Sequence, residues 1–311
     1  MHNLVFCLMG PTASGKTALA CRLVQQFPFE IVSVDSAMIY REMNIGTAKP
    51  DDQELDGAPH HLIDILDPCE SYSAAQFCED VIQLIDSIRS RDKWPLLVGG
   101  TMMYFNALQQ GLSVLPTADE NIRSELSRRI MSQGLNTLFL ELQTVDARTA
   151  ARIHANDSQR IQRALEVYYA TGQPLSDFLQ QQDPKHQFSF INLGLFPGNR
   201  AWLHERIAMR FDLMLEQGFL EEVRQLQAKW SLTIDYPSMR CVGYRQALAY
   251  LGEKNSSFED FRMKSIASTR QLAKRQLTWL RHWEQISYFP PEESNTMQKV
   301  VANIHKILDN S

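Results

Sequence analysis

Paired cysteines are missing from this chain. Its five cysteines, Cys7, Cys21, Cys69, Cys78 and Cys241, include no C-x-x-C pair and no matching histidine spacing. That argues against a zinc finger and a disulfide scaffold, and predicts a reducing compartment. No apolar run approaches the roughly 18 residues of a membrane span, so no membrane association is expected. Positive charge is short as well: 31 Lys and Arg stand against 36 Asp and Glu, a net charge of −5. Global electrostatics therefore offer a nucleic acid no attraction. The first apolar run begins by Leu4, which leaves no room for a signal or transit peptide, and a cytoplasmic protein is expected. What is present is ordinary: 44% hydrophobic and 22% charged residues over 311 positions, enough for one large domain or two smaller ones.

The most specific segment is Gly10-Pro11-Thr12-Ala13-Ser14-Gly15-Lys16-Thr17, which matches the phosphate-cradling loop G-x-x-x-x-G-K-[ST]. Leu4–Met9 before it reads as a buried parallel strand, and Ala18–Val24 after it as a helix. Backbone N–H groups and the positive end of that helix would converge on an anion. Lys16 adds a point charge, and the Thr17 hydroxyl is a candidate magnesium ligand. The loop alone does not say whether the phosphates belong to a nucleotide.

Along the first hundred residues strand and helix alternate. Glu30–Val34 reads as a second strand ending at Asp35-Ser36, residues 73–91 as a helix, and Leu96-Leu97-Val98 as a strand ending in Gly99-Gly100-Thr101. This is a parallel α/β core, with the phosphate loop, Asp35 and Thr101 all at carboxyl ends of strands, where open α/β sheets bind ligands. After Leu115-Pro116 amphipathic helices follow at about 119–133, 146–154, 159–171 and from 174; a strand over 188–196 then returns to the sheet. The spacing predicts an α/β P-loop NTPase-like core over 1–116 and 187–311, with a helical insertion domain over 117–186. Helices are expected at 201–217, 219–229, 240–251 and 257–284, with a peripheral helix in 291–311.

Several residues carry candidate chemistry. Asp35 could hold a magnesium ion through water or accept a proton from a nucleophile; a strand-ending Asp also simply caps the next turn. Thr101 offers a hydroxyl and a helix start. Arg206 and Arg210, one turn apart, could clamp a second phosphate or form a salt-bridged surface with Glu205 and Asp212. His60-His61 with Asp64 and Asp67 does not have zinc spacing and reads as a structural loop. Between Arg262 and Glu284 six cations meet a single carboxylate. On a helix, Arg270, Lys274 and Arg281 fall within about 40° of one another, beside an apolar face of Ile266, Ala273, Leu277 and Leu280. The stripe is a solvated surface or a local phosphate-binding strip.

Taken together, segments 10–17, Asp35–Tyr40, Asn44–Pro50, Pro59–Pro68, Val98–Tyr104, Arg152–Val167, Arg240–Gln246 and Thr269–Trp283 resemble the bacterial tRNA dimethylallyltransferase (tRNA isopentenyltransferase) family. The resemblance runs in order from residue 3 to about 284. A P-loop kinase would share only the first segment, and a GTPase-like switch would need an N-K-x-D motif that this chain lacks.

The resemblance implies transfer of a dimethylallyl group from dimethylallyl diphosphate to an adenosine amine of tRNA, with Mg2+ as cofactor and a monomer as the active form. It implies catalytic roles for Asp35, Thr101, Lys16 and Arg210, donor binding by residues 10–17, and a metal contact at Thr17. RNA contacts are implied for Asp35, Ser36, Ala37 and Met38, for Thr101 and Arg123, and for Gln159, Arg160, Ile161, Gln162 and Arg163. Further contacts are implied for Arg240, Cys241, Val242, Gly243, Tyr244 and Arg245, and for Lys274, Arg275, Gln276, Leu277, Thr278, Trp279, Leu280 and Arg281. Met38 departs from the Gln that many family members carry there.

Overall fold

A computed structural model describes residues 3–113, 115–116, 119–179, 186–253 and 257–309. The chain divides into two compact units, Met1–Ala107 with His186–Ser311, and Leu108–Lys185. The expected insertion start at 117, and residues 310–311 of the expected terminal helix, lie outside the described residues.

In chain order the elements are β1 (Leu4–Met9), α1 (Lys16–Val24), β2 (Phe29–Val34), α2 (Asp52–Gly57), β3 (His60–His61), α3 (Ala74–Arg89), β4 (Trp94–Gly99) and α4 (Met102–Gln110). Then come α5 (Glu120–Gln133), α6 (Leu135–Val145), α7 (Ala147–Ala150), α8 (Ser158–Thr171) and α9 (Leu175–Phe178). The chain continues through β5 (Ser189–Leu195), α10 (Arg200–Glu216), α11 (Phe219–Trp230), α12 (Tyr244–Gly252), α13 (Phe258–Arg281), β6 (Ile286–Phe289) and α14 (Thr296–Asp309).

The larger unit is the expected parallel α/β fold. Its six strands run in the order β3-β2-β4-β1-β5-β6, all paired in parallel. β1, β2 and β4 are near-continuous apolar runs because both faces of a parallel sheet are covered. Phe6, Leu8, Phe29, Ile31, Leu96, Val98, Leu193 and Leu195 form one core with Leu19, Ala20 and Leu23 of α1 and Val300 and Ile304 of α14. Phe6 and Phe29 meet edge to face at 4.9 Å. Pro95 sits near the start of β4 rather than before it, a position where a strand tolerates the missing N–H.

Register sets the site. Met9 and Val34 both lie opposite Gly99, so β1, β2 and β4 end at one level. Two bonds extend the ladder past the strands: Gly10 N–H to Gly99 O at 3.3 Å and Thr101 N–H to Val34 O at 3.2 Å. The phosphate loop, Asp35 and Thr101 thus leave the same edge side by side.

The smaller unit is helical with its own core of Leu126, Leu138, Leu142, Ala150, Ile161, Ala164 and Leu165. α2, β3, α6 and β6 were not expected from sequence. α6 begins directly after Gly134, whose φ of 83° ends α5. β6 is four residues long and pairs with β5.

Candidate active site

The phosphate loop is built from its backbone. Gly15 caps α1 at φ 87°, a left-handed conformation that a side chain would strain. The N–H groups of Ala13, Gly15, Lys16 and Thr17, and the Thr17 hydroxyl, make no hydrogen bond among the described residues. Unclaimed donors at a helix N-terminus suit an anion. Lys16 Nζ donates to Pro11 O at 2.7 Å. Burial lowers its pKa to about 7, opposed by the Asp35 charge and reinforced by Arg210. Desolvation likewise lowers the Arg210 pKa, with Asp35 opposing and Arg206 adding to the shift. Both cations therefore lie in the field of one carboxylate.

Asp35 ends β2 and does what a strand-ending Asp does: Oδ1 accepts the N–H groups of Ala37 at 2.8 Å and Met38 at 3.3 Å. Nothing among the described residues hydrogen-bonds Oδ2. The cap fixes the carboxylate and leaves one oxygen for chemistry. Thr101 Oγ1 accepts from Ser36 N–H at 3.1 Å, tying the end of β4 to that of β2. Beyond Asp35 lie Cys241 and Tyr104, whose pKa values are both pushed up to about 12 by burial and then by the Asp35 charge. A protonated Cys241 thiol is a poor nucleophile at neutral pH.

The arginine pair of α10 divides its labour. Arg206 Nε donates to Ala13 O at 2.9 Å, bracing the loop, and its guanidinium lies 4.9 Å from the centre of the Trp202 ring. Arg210 forms no ion pair among the described residues and remains the clamp candidate. The alternative salt-bridged surface is not formed: Asp212 instead pairs with Arg262 at 2.6 Å.

Other expectations resolve residue by residue. Asp64 and Asp67 pair with Lys49 at 2.6 Å and Arg41 at 2.9 Å, and His61 with Glu30 at 2.9 Å. The role is structural as expected, but His60-His61 is the short strand β3 paired with β2 and not a loop. On α13, Lys274, Arg275, Thr278, Trp279 and Arg281 are exposed, while Ile266, Ala273, Leu277 and Leu280 are buried. Arg262 is neutralised by its carboxylate; Lys274, Arg275 and Arg281 have no such partner among the described residues. Arg240 and Arg245 are exposed and Tyr244 is fully buried. Leu277, Leu280 and Tyr244 are therefore packed in the interior.

In the helical unit Ile161 is likewise core, while Gln159 and Arg160 are exposed. Arg123 and Arg163 approach the buried carboxylate of Glu166 at 3.5 and 3.3 Å, and Gln162 Nε2 donates to Arg123 O at 2.9 Å.

Glu222 and Lys49 escaped the sequence reading. The buried Glu222 carboxylate of α11 accepts the N–H groups of Asn44, Ile45 and Gly46 at 2.9, 2.6 and 3.1 Å and the Tyr244 hydroxyl at 2.6 Å. Lys49 Nζ donates to Tyr40 O, Asn44 Oδ1 and Asp64 Oδ1 at 2.9, 2.7 and 2.6 Å. Together they fix the loop that follows Asp35. Segment Asn44–Pro50, which contains Lys49, entered the sequence reading only as part of the family resemblance, with no role for its residues.

Such a site on such a sheet defines a class: an α/β protein of P-loop architecture whose loop, among the described residues, offers free N–H groups and buried cations beside a carboxylate with one unclaimed oxygen. Comparison with known proteins narrows it. The family model described as IPP transferase matches residues 38–283, and the chain belongs to that family. It is 61% identical over 311 residues to a tRNA dimethylallyltransferase of Legionella pneumophila (strain Lens), covering 100% of this chain and 99% of the relative. It is 52% identical to the enzyme of that name from Coxiella burnetii (strain Dugway 5J108-111), covering 96% of each. Among solved structures it is similar to a tRNA isopentenylpyrophosphate transferase of Bacillus halodurans, with TM-score 0.72 and 35% identity over 100% of this chain and 98% of that one. It is also similar to a eukaryotic dimethylallyltransferase acting on tRNA, with TM-score 0.82 and 28% identity over 99% of this chain and 80% of that one.

Proposed function

We propose that this chain transfers the dimethylallyl group of dimethylallyl diphosphate to the exocyclic amine of an adenosine in tRNA. The target is the adenosine immediately 3′ of the anticodon in tRNAs reading codons that begin with U. The observation that carries this reading is that Lys16, Arg210 and the phosphate loop share a site with a carboxylate whose second oxygen is unclaimed. Leaving-group stabilisation and proton acceptance are the two demands of allylic transfer to nitrogen.

The amine lone pair forms a bond to the terminal allylic carbon as the carbon–oxygen bond to diphosphate breaks. Lys16, Arg210 and the loop N–H groups hold the charge that develops on the diphosphate. Asp35 Oδ2 takes the amine proton, and the Thr101 hydroxyl, already placed by Ser36, orients the amine. Thr17 would hold a magnesium ion, because its hydroxyl makes no hydrogen bond among the described residues; the ion would supply further charge neutralisation. The base leaves its stack to reach the sheet edge. Every residue assigned here comes from one chain, so a monomer suffices, working in the cytoplasm with its tRNA substrate.

The test is incubation of the protein with radiolabelled dimethylallyl diphosphate, magnesium and an anticodon stem-loop. Label should enter the RNA, and a stem-loop with guanosine replacing the target adenosine should take none. Absence of label in the adenosine stem-loop would overturn the reading.

A further inference from the structure

Gln276 sits in the middle of the α13 segment otherwise marked by exposed cations, yet its side chain turns the other way. It is nine-tenths buried. Its Oε1 accepts the Thr12 N–H of the phosphate loop at 2.8 Å, and its Nε2 donates to Gly100 O at 3.0 Å. One amide thus joins the loop after β1 to the turn after β4, across 264 and 176 positions of sequence. Those two segments carry Lys16 and Thr101. Gly10 N–H to Gly99 O, at 3.3 Å, is a backbone tie between them, and the glutamine adds a second one beyond the strand ends, at Thr12 and Gly100.

The fit around the amide is tight. A Cβ on Gly100 would stand 2.3 Å from Gln276 Nε2, with Gly10 O next at 3.2 Å. Glycine at 100 is what lets the glutamine reach the carbonyl. A second consequence concerns the cradle: the Thr12 N–H is already committed to Gln276 and the Ser14 N–H to Pro11 O, which leaves the Ala13, Gly15, Lys16 and Thr17 amides to receive an anion.

We propose that Gln276 is a positioning residue of the donor site, setting the phosphate loop and Thr101 in register, and is not an RNA contact. A glutamine suits the task because it accepts from one loop and donates to the other without charge. Glutamate would keep the acceptor, lose the donor and place a carboxylate beside a carbonyl and an anionic ligand. The inference rests on the proposed function for its catalytic readout, but its binding readout is independent of it.

The experiment compares Gln276→Met, Gln276→Glu and the neighbouring Lys274→Ala. Affinity for inorganic diphosphate with magnesium is measured by calorimetry, stem-loop affinity by titration, and kcat and KM for dimethylallyl diphosphate by label transfer. Loss of a satisfied buried amide should weaken diphosphate binding about tenfold in Gln276→Met, and more in Gln276→Glu. The donor KM should rise, and stem-loop affinity should stay within about twofold, where Lys274→Ala shows the reverse. A cycle with Gly100→Ala adds a structural check. That substitution should damage diphosphate binding in the wild type and cost far less in a Gln276→Ala background, where the clash is gone. Gln276→Met and Gln276→Glu that bind diphosphate like wild type would overturn the proposal, whether they melt normally or early. So would weakened stem-loop affinity with intact diphosphate binding. If the wild type transfers no label while Gln276→Met still loses diphosphate affinity, the functional reading falls and the positioning role stands.

Discussion

At the residue scale, Asp35 commits one oxygen to structure and leaves the other unclaimed among the described residues. Oδ1 holds the turn through Ala37 and Met38, so Asp35→Asn keeps the cap and removes the proton acceptor. Its turnover should fall by about 10²–10⁴, the usual cost of a lost general base, with stem-loop affinity within a few-fold of wild type. A single-turnover assay decides it: more than about a tenth of wild-type rate would end the base assignment. Lys16 gives a pH signature. Its pKa is lowered from 10.5 to about 7 by burial. The unfolded chain therefore holds a proton that the folded chain lacks between those values. Stability rises with pH across that window, and the cost is present in full below it. An anionic diphosphate favours the charged lysine again, so binding at about pH 8.5 should take up close to one proton, falling toward none at about pH 6. Calorimetry in buffers of different ionisation enthalpy measures this, and Lys16→Ala should abolish the difference. Equal uptake in Lys16→Ala would assign the proton elsewhere.

At the scale of the element, α13 is two-sided in chemistry as well as polarity. Ile266, Ala273, Leu277 and Leu280 bury one face, and Lys274, Arg275 and Arg281 occupy the open one. Trp279 is 43% exposed among them, an aromatic of the kind on which an unstacked base can lie. Lys274→Ala and Arg281→Ala should each lower the slope of log affinity against log salt by roughly one unit or less, with diphosphate binding unchanged. Arg262→Ala, on the same helix but paired with Asp212, should leave the salt slope alone and lower thermal stability. A stem-loop titration across a salt series separates the two groups. Equal slopes for all three variants would make the open face an ordinary solvated surface.

For the whole molecule, what could be read in advance followed the range of the interactions. β1, β2, the phosphate loop and the faces of α13 are local patterns of spacing, and the sheet edge follows from where strands end. The short β6 has no pattern of its own and exists because β5 offers it an edge. Gln276 reads in sequence as one more polar residue in a basic stretch, because both its partners lie far along the chain. Glu222 was hidden for the same reason, its three backbone donors standing 176 to 178 positions away. The net charge of −5 misleads about nucleic acid, because binding depends on which cations lack carboxylate partners and not on their sum.

The separate cores of the two units lead to the last prediction. Each unit buries its own apolar cluster, and the phosphate loop belongs to the larger. Calorimetric melting should show two transitions, and magnesium diphosphate should raise only the one that belongs to the α/β unit. At a hundred times its Kd the ligand adds about 2.7 kcal/mol to the state that binds it. Lys16→Ala should flatten that response while leaving the other transition in place. Leu142→Ala, which opens a cavity in the helical core at a cost of about 2–5 kcal/mol, should lower the other transition alone. A single transition that shifts as one under all three perturbations would show that the units unfold cooperatively, so that ligand held by the α/β unit also stabilises the helical one.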